Sequence, residues 1–264
     1  MRSWSEQKYK LIGCYADIFT RGMRYKWDKL IYIDLFAGAG YSLIKGSRKI
    51  LKSSTLIAMD IPIKFDKYIL CEENPEKLSA LKIRVQREHP DLDVVFIEGD
   101  SNRLVEKIKS EIPLHSKTTK VLPFSFVDPY SLNLHFATIR HLGQNLMDFL
   151  ILLALHMDAN RNFDIYLNEN STKIDHFIGD SNWRLDFQNR FSSNHSKFVN
   201  FLATKYEENM INIGYKKPPE FHQIRSDDKN LPLYYLAFYS KHERGNDFWA
   251  KTKKFSNPQT SLDF

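Results

Sequence analysis

Asp34, Glu72, Asp100 and Asp128 each stand at or just past the end of a short apolar run, and Gly38 and Gly40 follow the first of these runs one residue apart. The types and their order suit the recognition of a nucleoside. Gly38 and Gly40 lack a Cβ, so the backbone there can take a positive φ and a ligand can lie against it. Asp34, just before the turn, can accept hydrogen bonds from loop amides or from a ligand amine. Glu72 follows an apolar residue and precedes a helix start at Pro75, the setting in which a carboxylate accepts both hydroxyls of a ribose. Asp100, in Glu98-Gly99-Asp100, is placed to accept from an adenine amine. Each carboxylate has an alternative use as a helix cap or first-turn acid. One acid at a strand end carries little meaning; an ordered series carries more, because each member is placed independently.

Positioning such a series on one rim requires alternating strands and helices. Apolar runs at residues 30–35, 68–71, 94–97, 124–127 and 148–155 read as five strands. They are continuous rather than alternating, which marks strands buried on both faces and therefore parallel. Helical patterns fall between them at 54–59, from Pro75 through Leu78, Leu81 and Val85, at about 103–112 and at 135–142. Right-handed crossovers then bring the strand ends to one edge of a doubly wound sheet. Residues 5–24 read as an amphipathic helix with Tyr9, Ile12, Tyr15, Ala16 and Phe19 on one face and Ser5 as N-cap. Residues 45–52 read as an exposed loop, and about 160–213 as a helical insertion. The runs 221–225 and 233–239 are joined by a short polar connection at 226–230, which favours an antiparallel hairpin. A basic helix at 248–254 closes the chain, and the tail after Pro258 is expected to fray. Residues 1–264 are thus expected to form a single domain.

Bulk properties narrow the class. At 264 residues with 42% hydrophobic and 27% charged residues, the chain can bury a full core as an ordinary globular protein. Its net charge of +6 fits a nucleic-acid partner without requiring one. Cys14 and Cys71 have no second cysteine or histidine at metal-ligand spacing, so both read as free thiols in a reducing compartment and no metal site is expected. The N-terminal residues contain no secretory pattern, and the most apolar run, 149–155, is far too short to span a bilayer. The expectation is a cytoplasmic, soluble protein that does not engage a membrane.

The turn Asp34-Leu35-Phe36-Ala37-Gly38-Ala39-Gly40, Glu72, Glu98-Gly99-Asp100 and Val127-Asp128-Pro129-Tyr130 resemble the motifs of class I S-adenosylmethionine-dependent methyltransferases. More narrowly, that turn, the Asp-Pro-aromatic motif, Asn160-Arg161-Asn162 and the late segment 233–242 resemble the three-Cys-motif partner family. This resemblance covers most of the chain. It implies a Rossmann-like sheet of seven strands, mostly parallel, with the last strand antiparallel. It implies S-adenosylmethionine as cofactor: Asp34, Phe36, Gly38 and Gly40 at the methionine part, Glu72 at the ribose, and Asp100 with Ser101 at the adenine. Asp128, Pro129 and Tyr130 would form the acceptor side, and the partner would be a radical-type iron–sulfur protein that carries the three cysteines itself. The chain departs from the family patterns at Ser131, where many relatives have glycine, at Ser53-Ser54-Thr55, and in having one proline after the acidic residue where base amino-methyltransferases usually have two.

The function expected from these residues is methylation of a nitrogen, on an RNA or DNA base. Asp128 would accept from an exocyclic amine and Tyr130 would hold the ring. Arg161 and His156, just past the fifth strand, are candidates to touch substrate. Arg184, Lys216, Lys217, Lys251, Lys253 and Lys254 are candidates for a phosphate track. The alternatives are a non-catalytic or cofactor-binding subunit that docks the iron–sulfur partner in a modification or defence system, and a nicotinamide-dependent dehydrogenase. The dehydrogenase is disfavoured because the turn lacks the third glycine of the dinucleotide fingerprint.

Overall fold

The structure, a computed structural model, describes residues 4–43, 49–217, 221–226 and 230–256. Strand β1 (Lys29–Asp34) lies inside its main sheet, buried on both faces and paired on both edges. Tyr32 aligns with Tyr68 of one parallel neighbour and with Phe124 of the other. After β1 the chain makes a small hairpin, β2 (Tyr41–Leu43) and β3 (Ile50–Lys52), then α2 (Ser54–Asp60), β4 (Lys67–Glu72), α3 (Pro75–Glu88), β5 (Val94–Glu98), α4 (Val105–Ser110), β6 (Val121–Val127), α5 (Phe136–Leu142) and β7 (Asp148–Leu153). The last third contains α6 (Phe163–Leu167), α7 (Lys173–Ile178), α8 (Trp183–Phe191), α9 (His195–Asn212), β8 (His222–Arg225), β9 (Pro232–Tyr239) and α10 (Glu243–Ser256), with α1 (Trp4–Met23) preceding everything.

The seven main strands run in the order β5-β4-β1-β6-β7-β9-β8. The pairs from β5 to β7 are parallel, and β9 is antiparallel to both of its neighbours. This is the doubly wound, seven-stranded, mostly parallel sheet expected from the sequence, with the antiparallel last strand in the expected hairpin. Side chains alternate across β1, so Ile31 and Ile33 enter one core and Leu30 and Tyr32 the other. The first core packs against α4, α5 and the insertion helices, whose Phe177, Trp183, Phe187, Phe198 and Tyr206 belong to it. The second lies under α1 and α2, with Tyr15, Phe19, Phe65, Phe124 and Trp249 in mutual ring contact. No helix of the described residues is long and apolar enough to cross a membrane.

Several expected boundaries move. The predicted loop at 45–52 contains β3, which pairs with β2 as Tyr41 to Lys52 and Leu43 to Ile50; its residues 45–48 lie outside the described part. Pairing there is local and each strand is three residues long, so periodicity had nothing to report. Ser5 falls within α1 rather than before it. The fifth strand ends at Leu153, and Leu155–Ala159 form a π-helical turn in which the Asn160 amide donates to the Leu155 carbonyl at 2.8 Å. The closing helix starts earlier than expected, at Glu243. Residues 227–229 of the hairpin connection and the tail from 257 lie outside the described residues.

Candidate active site

A cleft of about 610 Å³ opens where β1 and β6 end side by side, the point at which the strand order reverses. In open α/β sheets ligands bind at that position. One wall is the turn after β1, with Phe36, Ala37, Gly38 and Ala39, and the other is Asp128 to Ser131 after β6. Tyr9 of α1 and Met157, Asp158 and Arg161 at and after the π-helical turn complete it.

The first wall is held by carboxylates. Asp34 is fully buried and accepts from Ser54 Oγ at 2.6 Å, Thr55 Oγ1 at 3.2 Å and the Phe36 amide at 3.1 Å. Burial pushes its carboxyl up to about 6, against the pull of Ser54 and Phe36. Asp34 does not line the cleft and accepts from the loop amide of Phe36, the first of the two uses read from the sequence, so it shapes the turn. Gly38 has φ +67°, and a Cβ there would meet nothing within 4 Å, so its open side faces free space. Gly40, at φ +84°, is a packing glycine: a Cβ would lie 3.0 Å from Leu81 Cδ1, and the residue does not line the cleft.

Glu72 accepts the Gly38 amide on Oε2 at 2.9 Å and the Asn74 amide on Oε1 at 3.0 Å. It therefore ties the end of β4 to the glycine turn while each oxygen keeps a second lone pair. Asp100 accepts the Asn102 amide at 2.8 Å and begins the turn into α4, the local role that was its alternative reading. Ser101 is buried, and its Oγ has no partner among the described residues. Glu72, Asp100 and Ser101 stand along the rim past the cleft, at the ends of β4 and β5.

The second wall is assembled from distant segments. Asp128 is ion-paired through Oδ2 with Lys8 of α1, which is only 2% exposed. Pro129 is buried beside it, and Tyr130 projects outward at 86% exposure. Ser131 has φ +65°, in the left-handed region where a glycine would sit without strain. A side chain there costs about 1–2 kcal/mol. Ser131 Oγ donates to Asp158 Oδ2, which also accepts the Leu132 amide at 3.1 Å. Asp158 Oδ1 accepts from Asn162 Nδ2 and the Tyr166 hydroxyl, both at 2.6 Å. One buried carboxylate thus joins the acceptor loop to the insertion, and burial with this bond pushes the Tyr166 phenol up.

The remaining candidates separate clearly. Arg161 is exposed and lines the cleft, as does Lys77 at the start of α3. His156 does not: it turns toward β9, with Nε2 3.4 Å from the Tyr235 hydroxyl, and burial and Arg225 lower its pKa. The π-helical turn, one residue wider than an α turn, sends Asp158 to the cleft and His156 away from it. Arg184 is a clamp inside the insertion, paired with Asp175 at 2.8 Å and donating to the carbonyls of Tyr166 and Asn168, so it is not part of a phosphate track. Trp183 donates to Asp175 at 2.7 Å and packs the insertion. Lys216, Lys217, Lys251, Lys253 and Lys254 lie away from the cleft lining.

Sequence reasoning missed Lys8, Tyr9, Lys77 and Asp158. Lys8 left a signal: with Ile12, Tyr15 and Phe19 it follows the i, i+4, i+7, i+11 spacing of the buried stripe of α1. A lysine in an apolar stripe needs a buried partner. Asp158 left none, because its partners are assembled by the fold.

No family profile matches this sequence, and no curated protein does. Solved structures do match. Protein LPL1258 from Legionella pneumophila is 11% identical, with a TM-score of 0.52 over 95% of this chain and 92% of its own. An O-methyltransferase from Bacillus cereus, solved with SAH, is 11% identical, with a TM-score of 0.49 over 87% of this chain and 80% of its own. Trm1 from Pyrococcus horikoshii, solved with S-adenosyl-L-methionine, is 10% identical, with a TM-score of 0.45 over 94% of this chain and 57% of its own. At such identities the likeness is one of fold, and the fold is Rossmann-like.

Proposed function

We propose that this protein is an S-adenosylmethionine-dependent methyltransferase whose acceptor is an amine nitrogen of an RNA or DNA base. The reading rests on one observation: a single cleft has the Gly38 turn as one wall and Asp128-Pro129-Tyr130 as the other, at the ends of adjacent strands. The residues present fit the cofactor. Ser53 lines the cleft, and its Oγ is buried with no partner among the described residues. Ser101 Oγ is likewise orphaned past the end of β5, Gly38 leaves open space, and Glu72 keeps lone pairs for two hydroxyls. Gly38 and Ser53 would hold the amino-acid part, Glu72 the ribose, and Asp100 with Ser101 the base. When bound, the cofactor supplies an electrophilic methyl group.

The chain's own task is alignment and charge stabilisation. Asp128 Oδ1 would accept an N–H of the acceptor, which turns the nitrogen lone pair into the cleft and stabilises the positive charge that grows on nitrogen as the C–N bond forms and the methyl's bond to sulfur breaks; the same carboxylate stands where the proton shed by nitrogen can be taken up. Tyr130 offers an exposed ring for stacking, worth roughly 1–3 kcal/mol per base. Lys77 and Arg161 flank the site with positive charge for a phosphate backbone, so binding should weaken steeply with salt.

The test is calorimetric titration with S-adenosylmethionine and S-adenosylhomocysteine, on wild type and on Glu72→Ala checked for folding by circular dichroism. It is followed by transfer of tritiated methyl to pooled RNA and DNA. Binding that is lost with Glu72, and label on nucleic acid, are expected. A folded wild type that binds neither compound would overturn the cofactor assignment, and cofactor binding with label only on protein would overturn the acceptor.

A further inference from the structure

We propose that Lys8 sets the charge of the acceptor, so that the site takes a neutral aromatic amine and rejects cationic amines and guanidinium groups. The inference rests on the function proposed above and narrows its substrate class. An isolated carboxylate in a cleft attracts any N–H donor, and a cation most of all. Asp128 is not isolated. Its Oδ2 is committed to the buried ammonium of Lys8, and no described residue donates to its Oδ1. Asp128 lines the cleft, whereas Lys8 lies behind it and is not part of the lining. An incoming group therefore meets one hydrogen-bond acceptor belonging to a pair whose net charge is zero.

The surrounding charges act in the same sense. The other carboxylate in the lining, Asp158, is spent on Ser131, Leu132, Asn162 and Tyr166. Lys77 and Arg161 add positive charge to the lining. A protonated lysine, arginine or polyamine would thus enter a site where Lys8, Lys77 and Arg161 outnumber the two carboxylates Asp128 and Asp158, and would be repelled by Lys8 through the shared carboxylate. A nucleobase amine carries no charge and offers an N–H to Oδ1, while its ring can rest on Tyr130. Lys8 acts through Asp128 and is a positioning residue: it fixes which oxygen is free and how much charge that oxygen presents.

Benzamidine and benzamide test this directly, since the two have nearly the same shape and differ in charge. Their binding to the S-adenosylhomocysteine-loaded protein is measured by ligand-observed NMR and calorimetry for wild type, Lys8→Met and Lys8→Arg. Met is close to Lys in volume, and Asp128, partly exposed, can be hydrated when its partner is gone. At a separation of about 4 Å and an effective dielectric of about 20, a unit charge is worth more than a factor of ten in affinity. The ratio of benzamidine to benzamide affinity is therefore expected to rise at least about tenfold in Lys8→Met and to stay near wild type in Lys8→Arg. A merely structural role would weaken both probes together and leave the ratio alone. Gain of benzamidine binding by Lys8→Met supports the inference even if wild type binds neither probe. An unchanged ratio, binding of neither probe by Lys8→Met, or a wild type that already prefers benzamidine would overturn it. The titration with S-adenosylhomocysteine is read separately: its failure removes the function proposed above, whereas an unchanged ratio with intact binding removes only the role of Lys8.

Discussion

The two walls of the cleft are built in opposite ways. The glycine-turn wall draws on residues 34–40, 53–55 and 72–74, an early part of the chain that closes over β1 and its neighbour β4. The acceptor wall joins Lys8 to Asp128 across 120 positions, and Ser131 to Asp158 across 27. The first wall is mainly backbone amides held by carboxylates; the second is an ion pair and a strained residue held by a hydrogen-bond cluster. The comparison teaches that a wall presenting backbone depends on the carboxylates that fix its turn, while a wall presenting charge depends on the partner that balances that charge. Changes in the first should act on the turn's shape and those in the second on the balance of buried charge.

The largest expected effect follows from the Lys8–Asp128 pair. Asp128→Ala should lower stability by about 3–5 kcal/mol, because it removes the carboxylate that faces a buried ammonium. Adding Lys8→Met should restore most of that loss in urea unfolding, and a double variant no more stable than Asp128→Ala would contradict the account. For catalysis the appropriate variant is therefore Asp128→Asn, where methyl transfer should fall roughly 100- to 1,000-fold while S-adenosylhomocysteine affinity is retained. Equal loss of both would blur the distinction between the walls.

Asp34 gives the glycine-turn wall its own pH signature. Its folded-state pKa of about 6 lies above the ordinary 3.8, so the folded state holds that proton more tightly than the unfolded chain. Its contribution to stability is full below about pH 4 and is lost as pH rises through about 6, a change of about 3 kcal/mol at most. Urea unfolding of wild type and Asp34→Asn at intervals from pH 4 to 7.5 should give a stability difference that shifts against wild type as pH rises. A difference flat in pH would mean that the buried carboxyl is not protonated in that range.

Gly40→Ala should cost about 1–2 kcal/mol, since it forces a side chain into positive φ and onto Leu81 and Leu56. Thermal unfolding measures this, and an unchanged midpoint would show that the turn relaxes freely. The smallest effect is at Ser131. Ser131→Ala keeps the left-handed strain and loses the bond to Asp158, whereas Ser131→Gly loses the bond and relieves the strain. The glycine variant should be the more stable of the two by about 1 kcal/mol, and the reverse order would assign the strain to another residue.

The strands were legible because each is a continuous apolar run, and the helices of the first two thirds because their periodicity is clear. The β2–β3 hairpin was not, because strands of three residues are too short to show a pattern. Ser131 was legible as an oddity, a serine where the motif favours glycine, yet only its φ of +65° explains the preference. His156 and Asp158 were indistinguishable in sequence as polar residues just past a strand. The π-helical turn separates them, directing one to Tyr235 and the other to the cleft. Arg184 looked like a surface cation, and five backbone and carboxylate acceptors instead hold it inside the insertion.

The sequence by itself determined the sheet, its parallel core, the antiparallel end and the rim on which Gly38, Glu72, Asp100 and Asp128 stand. These depend on apolar runs and turn residues, whose effects act over a few positions and can be read in order. Only the tertiary structure decided which of those residues reach the cleft, that Asp34 and Gly40 shape it from behind, and that Lys8 stands against Asp128. Burial and charge pairing depend on what the fold brings within a few ångströms, and no local pattern records the far partner.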